Sequence, residues 1–128
     1  MKTILVDAVH TFVIKDEGVF EEMHILLEQY KNRKIILTGA NDEQMRRFGL
    51  GSLPYEVFTL KHNPEKSDPA YYTTMLNYFD LAPEDVVYIE HNRAAVESAR
   101  SVGIVTCYYD ALKRDIGEVG VFLEKHIG

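Results

Sequence analysis

The chain's 128 residues contain a single cysteine, Cys107, which excludes an internal disulfide and any multi-cysteine zinc site. It lies in an apolar stretch, where a buried, inert thiol is the expected state. No apolar run approaches the length of a membrane span, and the N-terminus offers one lysine and a few apolar residues before Asp7. Neither a signal peptide nor a transmembrane helix is expected, so the expected location is cytoplasmic, away from the membrane. A basic excess is lacking too. The formal net charge is −6, with acids and bases interspersed, which disfavours nucleic acid as a partner because its backbone requires a basic surface. Small phosphates are not excluded, since one local site can be positive on an acidic protein. Low-complexity tracts, repeats and long linkers are also absent. What is present is 46% hydrophobic and 27% charged, the composition of one compact domain over residues 1–128.

Apolar runs rich in β-branched residues alternate along the chain with segments of helical period. The runs are 3–6, 34–37, 55–60, 86–89 and 104–108. Between and after them come 19–30, 42–48, 69–79, 93–102 and 111–126, where apolar side chains recur at helical spacing, as in Val19, Phe20, Met23, Leu26, Leu27 and Tyr30. Continuous apolar strands joined by crossover helices predict an α/β fold with a parallel sheet covered on both faces. Asn41 and Asp68 are candidate N-caps, Pro69 suits a first helical position, and 49–54 reads as a loop.

In an open α/β sheet the ligand crevice lies beyond the carboxyl ends of the strands. The first strand ends on Asp7 in "TILVDAVHT", the second on Thr38 in "KIILTGAND", the third leads to Lys66 in "NPEKSDPAYY", and the fourth ends on Glu90 in "VVYIEHNRAAVESARSVGI". Phosphoryl transfer requires a nucleophile, donors and a cation for the phosphoryl oxygens, and acids to hold a divalent metal. An acid, a hydroxyl, an ammonium and a second acid converge here on one rim. Each residue also has a purely structural reading. Asp7 could cap a helix or pair with a base, Thr38 could cap the helix after Asn41, and Lys66 could be a solvated loop lysine. Glu90 is harder to set aside, because a carboxylate following "VVYI" is costly unless paired or metal-bound. The pairs Tyr71–Tyr72 and Tyr108–Tyr109, with Tyr78, read as packing residues.

These four motifs, in this order, resemble the haloacid dehalogenase-like (HAD) superfamily over nearly the whole chain. The family pattern is Asp-x-Asp-Gly-Thr after the first strand, Ser or Thr after the second, Lys before a helix, and two acids after the fourth strand. The runs "EKSDPAYYTTMLNYFDLAPEDVVYIE" and "AAVESARSVGI" are similar to those of the phosphoglycolate phosphatase and β-phosphoglucomutase-like subfamily. The resemblance implies a Rossmann-like three-layer sandwich with a five-stranded sheet in the order 5-4-1-2-3. It implies Asp7 as nucleophile, with Thr38 and Lys66 as its catalytic partners and Thr11, Thr38, Gly39 and Lys66 on the substrate. It implies Mg²⁺ held by Asp7, the Val9 backbone carbonyl and Glu90, with His91 at the remaining acidic position. The gaps 11–34 and 39–66 are too short for the cap domain that such enzymes insert, so the expected form is capless. Capless relatives often act on bulky phosphates or assemble as homo-oligomers.

The departures are specific. Val9 stands where the family has its second Asp, and an alkyl group can neither protonate a leaving oxygen nor deprotonate water. His91 stands where a metal-binding Asp is usual, and imidazole is a poor ligand for Mg²⁺. His10 replaces the Gly of the turn, and Ala95 stands where the subfamily often has Asn. His10 and His91 together offer a replacement acid–base or a transition-metal pair. The resulting expectation is a weak or specialised Mg²⁺-dependent phosphatase acting on a phosphorylated small molecule or a bulky phosphate. The alternative is a degenerate HAD domain that binds phosphate or protein without chemistry. A response-regulator receiver domain uses an Asp, a Thr and a Lys in a similar fold, but places its phospho-acceptor after the third strand, and here the lone acid follows the first.

Overall fold

The computed structural model describes residues 1–127. Five strands form the main sheet: β1 (Thr3–Asp7), β4 (Lys34–Thr38), β5 (Glu56–Thr59), β6 (Val86–Glu90) and β7 (Val105–Tyr108). Their spatial order is β5-β4-β1-β6-β7, with every pairing parallel. Counting only main-sheet strands, this is the expected 5-4-1-2-3 read from the opposite edge. The numbering differs because a two-stranded antiparallel ribbon, β2 (Val13–Ile14) with β3 (Gly18–Val19), follows β1.

Alternation along the central strand explains the three layers. Successive side chains of a strand point to opposite faces, and in β1 all five residues are buried. Ile4 and Val6 enter one core, with Met23 and Leu27 of α1 (Glu21–Glu28) and Val119 and Leu123 of α5 (Ile116–His126). Leu5 enters the other, with Tyr71, Tyr72 and Met75 of α3 (Pro69–Phe79) and Ala99 of α4 (Arg93–Ser101). Each helix layer therefore takes one parity of the strand, which is why the runs are continuously apolar. Among the described residues no domain is inserted after β1 or β4, and no helix is long and apolar enough to cross a membrane.

Element ends differ from the periodicity where local chemistry intervenes. The first helix begins at Glu21 rather than at 19, because Val19 pairs with Val13 in the ribbon. The last begins at Ile116 rather than at 111, because the Asp115 carboxylate caps it by accepting from the Glu118 N–H and Arg114 before it is left-handed, with φ 52°. The loop at 49–54 contains a 3₁₀ turn, Leu50–Ser52. Asn41 caps α2 (Asp42–Arg47) in a reciprocal box with Gln44, and Asp68 caps α3 with Pro69 in its first turn, as expected.

Candidate active site

Parallel register brings the two acids side by side. Val6 pairs with Ile89, so the next residue of each strand, Asp7 and Glu90, emerges at the same level of the carboxyl edge. Both are buried, Glu90 completely. Lys66 reaches them from the loop before α3. Its Nζ lies 2.5 Å from Asp7 Oδ1 and 2.6 Å from Glu90 Oε1, and it donates to the Leu37 carbonyl at 3.2 Å. All three ammonium hydrogens are thereby used. The loop is pinned immediately after the lysine, because Ser98 of α4 donates to the Ser67 carbonyl at 2.6 Å and Asp68 caps α3.

The remaining carboxylate oxygens are also occupied. Asp7 Oδ2 accepts from the Thr11 hydroxyl at 2.9 Å and lies 2.5 Å from His91 Nδ1. Glu90 Oε1 accepts from Tyr88 Oη at 2.5 Å, and Oε2 accepts from the backbone N–H groups of His91 and Asn92 at 2.9 and 3.0 Å. Thr38, on the other side of Asp7, accepts from the Ala40 N–H through its hydroxyl at 3.1 Å, which leaves its own hydrogen to donate. Tyr71 Oη of α3 holds that strand end by donating to the Thr38 carbonyl at 2.7 Å.

The electrostatics follow from these contacts. For Glu90, burial pushes the pKa upward, but the Lys66 ammonium and the surrounding hydrogen bonds outweigh it and hold the carboxyl well below its usual range. Asp7 moves the other way: burial and the adjacent Glu90 charge raise it, and Lys66 and His91 only partly offset them. Burial would lower Lys66, yet the two carboxylates raise it above its ordinary value. The His91 ring is likewise depressed by burial and raised more strongly by its hydrogen bonds to Asp7 and Glu90, reaching about 9. Two acids thus face two cations.

Asp7, Thr38, Gly39, Lys66, Glu90 and His91 all line one open cavity of about 350 Å³, as do Val9 and His10. Of the residues expected to touch substrate, Thr11 is the exception. It is fully buried and its hydroxyl is directed at Asp7, so it stands behind the carboxylate instead of in the cavity. His10, standing where the resemblance implies glycine, has a left-handed φ of 75°, a conformation strained for a residue with a side chain. Its ring stands edge-on to that of His91, with 5.4 Å between centroids. Three participants escape a reading of the sequence. Tyr88 was legible in principle, since residues two apart on a strand share a face and it precedes Glu90 by two. His62 and Glu65 also line the cavity, joined at 2.9 Å, but their loop carries no periodic signal. Cys107, expected to be buried, is half-buried, and what burial it has pushes its thiol up to about 11.

No protein-family model and no curated protein sequence matches the chain. Solved structures do. A predicted HAD-like family hydrolase from Porphyromonas gingivalis aligns with a TM-score of 0.71 at 12% identity, over 96% of this chain and 98% of that one. A HAD family enzyme from Bacteroides thetaiotaomicron, in complex with magnesium and inorganic phosphate, aligns at 0.69 and 12% identity, over 87% and 95% of the two chains. The fold is that of the HAD-like superfamily. An uncharacterized protein from Corynebacterium glutamicum shares it, with a TM-score of 0.64 and 19% identity over 100% and 98% of the chains. At these identities the likeness establishes the HAD-like architecture alone.

Magnesium in the Bacteroides enzyme raises the question of fit in this chain. Asp7, Glu90 and His91 present ligand-type atoms within 4.8 Å of one another. A Mg²⁺ ion wants oxygen ligands at about 2.0–2.1 Å in octahedral array, which spaces adjacent ligand atoms at roughly 2.9 Å. His91 Nδ1 sits at direct hydrogen-bond distance from Asp7, and every carboxylate oxygen already has a partner. The side chains as they stand do not fit the ion.

Proposed function

We propose that this chain is a HAD-type phosphohydrolase of narrow scope, with Asp7 as its nucleophile. The observation that carries the reading is the seat of Asp7: a buried carboxylate at the carboxyl edge of the central strand, with Lys66 Nζ at 2.5 Å and Thr38 on the neighbouring strand end. In the first step an Asp7 carboxylate oxygen attacks phosphorus, the bond to the leaving oxygen breaks, and an aspartyl phosphate forms. Thr38, through its hydroxyl, holds a phosphoryl oxygen with the Gly39 backbone beside it, and Lys66, whose hydrogens stay on Asp7, Glu90 and the Leu37 carbonyl, offsets the charge of the phosphoryl group. Thr11 and Lys66 orient the nucleophile. In the second step water attacks the same phosphorus, releasing inorganic phosphate and restoring the carboxylate.

Val9 supplies no proton to the leaving oxygen, so the reading favours phosphates whose leaving group is already a weak base, such as acyl or aryl phosphates. The open cavity admits a bulky substrate. The test is hydrolysis of p-nitrophenyl phosphate by wild type and Asp7→Asn: slow turnover that vanishes with the variant is expected. No Asp7-dependent hydrolysis of any such phosphate would favour the second reading, a binding module without chemistry. The observation behind that reading is the saturation of both carboxylates by Lys66 and His91.

A further inference from the structure

We propose that the His91 ring N–H takes the place of the divalent cation, making this crevice a metal-independent site for a phosphoryl group. The inference rests on the phosphohydrolase reading for its ligand, but its geometric basis is separate. His91 Nδ1 lies 2.5 Å from Asp7 Oδ2 and 3.3 Å from Glu90 Oε2, so one N–H stands between the two carboxylates that would be the ligands of an ion. The first distance is that of a direct hydrogen bond and leaves no gap for an ion between ring and carboxylate. Nor do the other oxygens stand ready. Lys66 takes one from each acid, Tyr88 shares that of Glu90, and the backbone N–H groups of His91 and Asn92 take its second.

The ring is also held in place. His91 follows Glu90 at the end of β6, its own backbone N–H is tied to that carboxylate, and His10 packs edge-on against it. It still lines the cavity, with about a quarter of its side chain exposed (27%). In this arrangement a phosphoryl oxygen is met by the Thr38 hydroxyl and the exposed edge of the His91 ring, with the Lys66 charge behind Asp7 and no ion shared with it. His91 thus offers no oxygen ligand at the end of β6 and supplies there the donor that replaces the metal.

The test is uptake of Mn²⁺ by metal-free protein, followed by the electron paramagnetic resonance of the free ion. Wild type is expected to leave the ion free at millimolar concentration. His91→Asp, with the ring removed and an oxygen donor restored, is expected to bind one Mn²⁺ per chain at least about tenfold more tightly than wild type. That uptake should disappear in Asp7→Asn/His91→Asp. Wild-type protein that takes up one Mn²⁺ per chain and loses it on Asp7→Asn overturns the proposal, whether or not the His91 variant folds. So does a folded His91→Asp that binds no more Mn²⁺ than wild type. Hydrolysis in the presence of EDTA separates the two ideas. Asp7-dependent turnover only when Mg²⁺ is added overturns metal independence, whereas no turnover at all removes the phosphohydrolase reading and leaves Mn²⁺ uptake alone to decide whether His91 replaces the ion.

Discussion

Asp7 and His91, separated by 84 positions in the chain, meet at 2.5 Å, and that contact places an imidazole beside a buried carboxylate. The consequence for stability has a definite sign. The ring's pKa rises from an ordinary 6.5 to about 9 in the fold, so protonated His91 stabilises the folded state. The contribution is complete below about pH 6.5 and is lost as pH rises through about 9. Thermal melts of wild type and His91→Gln across this window should show a gap that narrows as pH rises. A gap that widens, or that is constant with pH, contradicts a charged ring in the site.

Lys66 carries the other half of the charge balance. Removing one partner from a buried ion pair typically costs about 3–5 kcal/mol, because the remaining charges are left uncompensated. Lys66→Met leaves Asp7 and Glu90 facing each other with only His91 between them. Urea denaturation near pH 7 should show a loss of about 3 kcal/mol or more. The carboxyl pKa values of the variant's folded state rise, so the deficit should shrink toward about pH 5, where one acid can be neutral. A loss below about 0.5 kcal/mol would mark Lys66 as a solvated loop residue.

How much of this was legible in the residues depends on what kind of signal placed them. The sheet followed from continuous apolar runs, and Asp7, Thr38 and Glu90 followed from ending such runs. Lys66 belongs with them only through the motif order, because a lysine in a loop has no periodicity, and its two carboxylate contacts depend on the tertiary packing of α3 and α4. The ribbon β2–β3 escaped the period because its strands, Val13–Ile14 and Gly18–Val19, are two residues each and too short to show alternation. His91 was visible as a departure from an acidic position, but its meaning was not. A histidine in a loop reads as a poor ligand, and only the three-dimensional contact shows its N–H placed between the two acids. His10 is similar. The sequence flags a histidine where the resemblance implies glycine, and φ 75° shows that it takes the left-handed conformation that strains a side-chain-bearing residue.

The position of Val9 supports the sharpest kinetic prediction. Val9 lines the cavity two residues beyond Asp7, where a carboxyl group could reach the leaving oxygen. General acid–base catalysis contributes about 10²–10⁴-fold, and the contribution is greatest for poor leaving groups, which most need a proton. Wild-type rates should therefore fall steeply from aryl to alkyl phosphates. Val9→Asp should raise turnover on alkyl phosphates by roughly 10²-fold while changing p-nitrophenyl phosphate much less, flattening the dependence on leaving-group pKa. Asp7→Asn in the Val9→Asp background should remove both activities, which assigns the gain to the aspartyl-phosphate route and not to a new hydrolytic site. An equal gain on both substrates would mean that the new carboxylate acts through binding, since uniform binding does not discriminate between leaving groups. No gain on either would mean that proton supply is not what limits the site. The limit would then lie in the saturated carboxylate of Asp7, which must shed its His91 or Lys66 contact before it can attack phosphorus.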